Sequence, residues 1–207
     1  MQEYHKIDGL FERNTETKKL EEGKYRNPII EYLKNNPWEF TEKVDGTNIR
    51  IVWDGHKVGF YGRTDKAQIP AELTNRLIEL FGGNENEEIF EQKFGEKEVM
   101  LIGERFGGKI QGKRGYSETE DFILFDVMIE GCYLNRDAVK EIAECFQIKV
   151  VPTILIGTIK EGINYVKTKP KSEIGAEISE GLVGRPLFEL NNNTGRRIIT
   201  KIKTRDF

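Results

Sequence analysis

Between residues 38 and 61 three β-rich segments follow one another so closely that only tight turns can join them. They are 38–44, 47–53 and 57–61, and the last two meet at Asp54-Gly55, a pair suited to a hairpin turn. Parallel neighbours would need a crossover of a dozen or more residues, so these strands are expected to pair antiparallel. The same pattern continues at 98–106, at 121–129 with its turn at Glu130-Gly131, and at 148–156, 181–187 and 196–203. Helices are expected at 28–36, where Pro28 suits a first turn, and at 70–81, where Leu73, Leu77 and Leu80 recur at helical spacing before Gly82-Gly83. Others fit 87–94, a segment capped by Asn135 and running to Phe146, and a short stretch holding Ile159, Ile163 and Val166. The expectation is one α+β domain over 1–207, with antiparallel sheets, helices packed outside, and 1–36 as a lead-in and helix.

Composition narrows the class of protein. Hydrophobic residues make up 37% and charged residues 32% of the chain, the balance of a folded globular protein. No apolar run reaches the roughly 18 residues of a membrane span, and the first residues lack the apolar core of a secretion signal. Cys132 and Cys145 have neither metal-like nor redox-like spacing, which fits a reducing, cytoplasmic setting. Net charge is −3, yet basic residues cluster at Arg105, Lys109, Lys113 and Arg114, at Lys167, Lys169 and Lys171, and at Arg196, Arg197, Lys201, Lys203 and Arg205. Such clusters are either solvated faces or local phosphate-binding surfaces.

The sharpest local signal is Glu42-Lys43-Val44-Asp45-Gly46-Thr47-Asn48. It places a lysine between two expected strands, where its amine can face a ligand, and Gly46 would allow close backbone approach. Lys-x-Asp-Gly alone also fits a surface hairpin. More follows in order: Gly62-Arg63-Thr64 after the third strand, Gly103-Glu104, Phe122 to Asp126, Glu180-Gly181-Leu182-Val183, and Lys201-Ile202-Lys203.

This ordered set resembles the covalent nucleotidyltransferases, and within them ATP-dependent RNA ligases, particularly the bacteriophage RNA ligase 2 group. The resemblance implies a nucleotidyltransferase core with ATP in a cleft between its sheets, and Lys43 as the nucleophile that carries AMP. Forming lysyl-AMP needs a neutral amine, and free lysine has a pKa near 10.4, so Lys201, Lys203 and a bound Mg2+ or Mn2+ would favour deprotonation. Positions 201 and 203 share one strand face, so both amines can reach the same phosphates. The resemblance further gives Glu104 to the ribose hydroxyls, Glu180 to the water shell of the metal, and Phe125 to the adenine face. It gives Arg63 to the AMP phosphate or the 5′-phosphate of the substrate strand, a role suited to a planar guanidinium. Glu42 and Asn48 are expected at the nucleotide, and Asp45 is a further metal candidate. Phe125 also fits a core aromatic, and Asp126, one residue on, is expected to point to the opposite face.

Two departures stand out. Asp45 occupies a position where the RNA ligase 2 group usually has histidine, and no OB-fold or helical C-terminal domain is expected after Lys203. The implied reaction joins RNA 5′-phosphate and 3′-hydroxyl ends through lysyl-AMP and an adenylylated 5′ end, in the cytoplasm of a cell or of a phage host. The alternatives are a small ATP-dependent DNA ligase and a non-catalytic module that binds nucleic-acid ends.

Overall fold

The structure is a computed structural model and describes residues 3–108, 116–175 and 177–207. Lys109, Lys113 and Arg114 of the first basic cluster lie outside the described residues. In chain order the elements are β1 (Phe11–Arg13), β2 (Leu20–Tyr25), α1 (Pro28–Tyr32), β3 (Trp38–Glu42), β4 (Thr47–Trp53), β5 (Val58–Gly62), α2 (Ala71–Phe81) and α3 (Asn84–Phe94). There follow β6 (Val99–Gly107), β7 (Glu120–Ile129), β8 (Cys132–Tyr133), α4 (Arg136–Cys145), β9 (Lys149–Val150), β10 (Thr153–Gly157), α5 (Ile159–Lys167), β11 (Gly181–Pro186), β12 (Thr200–Lys203) and a terminal 3-10 turn (Thr204–Asp206). The fold is α+β, with antiparallel sheets and flanking helices.

The chain divides into two compact units, each made of separate stretches of sequence. The first comprises Met1–His5 and Asp45–Val151; the second comprises Lys6–Val44 and Pro152–Phe207. The chain passes from one to the other at His5–Lys6, Val44–Asp45 and Val151–Pro152, and no Pro/Ser-rich linker marks these points.

The first unit is built on the order β5-β4-β6-β7-β8, with β9 added parallel to β7. Ile49, Ile51 and Trp53 of β4 and Val99 and Leu101 of β6 point to one face, as period two requires. Helices α2, α3 and α4 cover that face with Leu73, Leu77, Phe81, Phe90, Phe94, Val139 and Ile142. Asn135 caps α4 by accepting from the Ala138 N–H at 2.9 Å, as its position predicts.

The second unit holds the four-stranded order β10-β3-β11-β12 and the hairpin β1-β2. Its core gathers Trp38, Phe40, Leu182 and Ile202 from the sheet, Ile159, Ile163 and Val166 from α5, and Leu10, Phe11 and Ile30 from the N-terminal stretch. Phe40 lies between Gly162 and Gly184, where an added Cβ would come within 2.8 Å of its ring.

Several boundaries differ from expectation for identifiable reasons. The 28–36 helix stops at Tyr32, after which Lys34 and Asn36 make tighter i→i−3 bonds to Glu31 and Leu33 and the chain runs on to Pro37. The strand read at 148–156 is two strands, broken at Pro152, which has no N–H to give a ladder. The strand read at 196–203 begins at Thr200, and the 87–94 helix begins three residues earlier, at Asn84. Strands β1 and β2 fall within what reads as a lead-in, because their residues FER and LEEGKY show no clear alternation.

Candidate active site

In the second unit, β3 ends at Glu42 and delivers Lys43 beside the start of β11, where the Lys43 N–H donates to the Gly181 carbonyl at 2.9 Å. Glu180 precedes β11, and its carboxylate joins two lysines. Lys43 Nζ donates to Oε2 at 2.5 Å and Lys203 Nζ donates to Oε1 at 2.7 Å. The glutamate side chain is only 7% exposed, whereas the lysines keep 20% and 18%. A buried carboxylate is tolerable when both its oxygens are paired in this way. Gly181 makes the geometry possible: its φ of +144° suits glycine, and a Cβ there would strike the Ile202 carbonyl of β12.

Lys201 and Lys203 alternate with buried Thr200 and Ile202, so they share a face as expected. Lys201 has its pKa lowered to about 8, first by burial and then by the cations Lys203, Lys43 and Lys6, with Glu180 opposing. Glu42 faces the other way. Its carboxylate accepts from Ser172 Oγ and, at 2.8 Å, from the Glu173 N–H, which ties the 172–175 loop to β3. Burial raises the Glu42 pKa against those two hydrogen bonds.

In the first unit, Asn48 of β4 and Glu104 of β6 are direct cross-strand partners. Both lie on the sheet face away from the helices. The Asn48 Oδ1 is buried and has no hydrogen-bond partner among the described residues, the kind of acceptor that a ligand donor would satisfy. Phe125 reaches the same face through a β-bulge. The helix-covered face takes Phe122 and Leu124 before the bulge and Val127 and Ile129 after it, so one extra residue enters at 125–126. Phe125 and Asp126 therefore both turn from the core, which corrects the expectation that they point apart. Tyr4 meets the two of them, its ring centroid 5.5 Å from that of Phe125 and its hydroxyl donating to Asp126 at 2.8 Å. Phe125 is half-buried rather than a core aromatic.

Arg63 sits exposed in the turn after β5. That turn is held by Arg50, fully buried, whose guanidinium donates to the Gly62 carbonyl at 2.9 Å and to Asp65 at 2.7 Å. Sequence reasoning passed over Arg50; a charged residue inside an apolar strand was the available signal. It passed over Ser172 too, and nothing local marks that serine. Asp45 is half-buried and its N–H donates to the Tyr116 hydroxyl at 3.2 Å. Gly46 is required by β6, since a Cβ would strike the Arg105 carbonyl.

Solved RNA ligase structures from Naegleria gruberi share this fold. One, a variant with ATP and Mn, aligns with TM-score 0.69 at 21% identity, over 98% of this chain and 56% of that one. Another, with AMP and Mn, gives 0.65 at 23% identity, over 85% and 52%, and one with PPi gives 0.64 at 22%, over 85% and 52%. The chain thus spans about half the length of these relatives. A model of the RNA ligase family matches residues 36–203, and the chain belongs to that family. Among curated proteins none matches.

Proposed function

We propose that the chain is an ATP-dependent RNA ligase that seals 5′-phosphate to 3′-hydroxyl ends through AMP carried on Lys43. The observation that carries this reading is the Lys43–Glu180–Lys203 bridge with Lys201 alongside. A lysine at a strand end, with two further amines on one face of β12, the next strand but one in the sheet, suits nucleophilic attack on a phosphate group.

The sequence of steps is as follows. Lys43 Nζ attacks the α-phosphorus of ATP; an N–P bond forms, the bond to the β-phosphate breaks, and pyrophosphate leaves with the electron pair. Lys43 must react as a neutral amine, so its ammonium gives up a proton to water and its pair with Glu180 opens, while Lys203 stays on the other oxygen of that carboxylate. A 5′-phosphate oxygen of RNA then attacks the lysyl-bound phosphorus, the N–P bond breaks, and a 5′–5′ pyrophosphate linkage results. Finally a 3′-hydroxyl attacks the 5′-phosphorus and AMP leaves. Lys201, Lys203 and Arg63 stabilise charge on the phosphates. Glu104 and Asn48 hold the nucleoside, Phe125 stacks on adenine, and Glu42 acts through the 172–175 loop that it ties down.

A divalent cation, Mg2+ or Mn2+, would neutralise phosphate charge in these steps. Among the described residues no three His, Cys, Asp or Glu converge. Such an ion keeps its waters and binds mainly phosphate, so Glu180 would meet it through water; Asp45 is a separate carboxylate candidate.

The test is covalent labelling. Incubation with ATP and magnesium should add the mass of AMP to the protein, and Lys43→Arg should abolish it, because a guanidinium does not deprotonate to become a nucleophile. Labelling of that variant at the parent's level would remove Lys43 from the role.

A further inference from the structure

Glu180 stands at a joint that the sheet alone does not hold. The first residue of β11 is Gly181, whose φ of +144° gives the backbone a freedom there that other residues lack. Glu180 lies on the far side of that joint, so its direction depends on the chain that leads into it.

That chain is a pair of antiparallel arms after α5. The Ser179 N–H donates to the Pro170 carbonyl and the Ser172 N–H to the Glu177 carbonyl, each at 2.9 Å, and Lys171 bridges Ile178 between them. The second arm, 177–179, runs straight on into Glu180. Across Glu180, the Ser179 hydroxyl donates to the Gly181 carbonyl and accepts from the Gly181 N–H, both at 3.2 Å.

The first arm is fastened to the end of β3. Ser172 Oγ donates to Glu42 Oε1, and it accepts from the N–H groups of Ile174 at 3.1 Å and Gly175 at 2.9 Å. The turn shaped in this way offers the Glu173 N–H to Glu42 Oε2 at 2.8 Å. Glu42 is only 2% exposed, and burial raises its pKa against these donors. A carboxylate so deeply buried depends on them.

Together the bonds close a ring inside the second unit. Lys43 follows Glu42 in the chain, Glu42 holds Ser172, and the first arm holds the second. The second arm leads to Glu180, which accepts from Lys43 Nζ at 2.5 Å. The Lys43 N–H adds a shorter circuit through the Gly181 carbonyl at 2.9 Å. Of these links, the bond from Ser172 to Glu42 is one that a small substitution opens while every backbone ladder and every charge stays in place.

We infer that Ser172 is a positioning residue for the Lys43–Glu180 pair: it anchors the two arms to Glu42 and so sets where the Glu180 carboxylate stands beside the Lys43 amine. The inference rests on the reading of Lys43 as nucleophile. Misplacing a reacting group by about 1 Å can cost roughly a hundredfold in rate, so a shift of the arms is felt at Lys43 without any change in nucleotide contacts.

The test uses the whole chain and compares Ser172→Ala, Ser172→Thr and Glu42→Gln, with thermal melting to verify that each is folded. At saturating ATP and magnesium, Ser172→Ala should label with AMP about tenfold more slowly, the scale of a partial misplacement. The ATP needed for half-maximal labelling should stay within about twofold of the parent's, because the loss falls on the rate and not on nucleotide binding. Ser172→Thr keeps the hydroxyl and should recover most of the rate. Glu42→Gln puts an amide where two acceptors are needed, which opens the same link, so the double variant with Ser172→Ala should be no slower than the slower single one. A parent-like rate in folded Ser172→Ala would overturn the inference. So would additive losses in the double variant, or a raised ATP requirement for Glu42→Gln alone, which would put that carboxylate on the nucleotide. Amide hydrogen exchange supplies a reading that needs no reaction: in Ser172→Ala the Lys43 N–H should exchange about tenfold faster, as its end of the sheet opens more often. If the parent never labels with ATP, the reading of Lys43 fails on its own, and exchange at Lys43 still decides whether Ser172 holds that end in place.

Discussion

Glu180 holds two ammonium groups on its two oxygens, and Lys201 lies near enough to feel all three charges. Lys201 shows the strain of that crowding. Its pKa in the folded chain, about 8, lies below the ordinary 10.5, so the folded state binds that proton less tightly than the unfolded one. The protonated form therefore opposes folding below about pH 8, and that opposition fades as pH rises from 8 toward 10.5. A polyphosphate beside Lys201 reverses the balance and draws the proton back. Binding of ATP or pyrophosphate near pH 8.5 should thus take up protons, a fraction approaching one, read as a dependence of calorimetric enthalpy on the buffer's ionisation enthalpy. The Lys201→Met variant should lose that uptake. Equal uptake in parent and variant would place the titrating group elsewhere.

At the scale of elements, β7 decides which residues reach the sheet face that we propose for the nucleotide. Its bulge turns Phe125 and Asp126 to one side while Phe122 stays in the helix-covered core. Phe125→Ala should therefore lower stability by about 1 kcal/mol or less, whereas Phe122→Ala should lower it by about 3–5 kcal/mol. Phe125→Ala should instead raise the ATP needed for labelling; a large drop in melting temperature for that variant would return Phe125 to the core. The strands around Lys43 were legible because alternation and the Asp54-Gly55 turn are local signals, and so was α4, with its Asn135 cap and apolar face. The bulge was not, since an extra residue leaves the composition of a strand unchanged. Nor was the bond between Ser172 and Glu42, which joins residues far apart in sequence through packing alone. The residues that resemble the family motifs did converge in part: Lys43, Glu180 and Lys203 touch, and Asn48, Glu104 and Phe125 share one sheet face.

On the scale of the whole molecule, the net charge of −3 leaves only local basic surfaces to hold RNA. End joining should fall steeply as salt rises, because the log of affinity for a polyanionic strand falls linearly with the log of salt. Labelling by ATP should change much less, since a nucleotide displaces few counterions. Sealing of a nicked duplex and AMP labelling, measured side by side in low and high salt, would separate the two; equal salt sensitivity would tell against phosphate contacts as the main grip on RNA. The division of the chain has a further consequence, for the order in which the protein is made. The first unit is nearly continuous, Asp45–Val151, and all its strands emerge from the ribosome together. The second places β3 between β10 and β11, so the strand that carries Lys43 is made early and finds both neighbours only when the last quarter of the chain appears. Until then β3, which carries Trp38 and Phe40, has two open edges, the form most prone to pair with the wrong partner. Vectorial synthesis thus leaves β3, the strand that leads to Lys43, without either neighbour until β10 and β11 have been made.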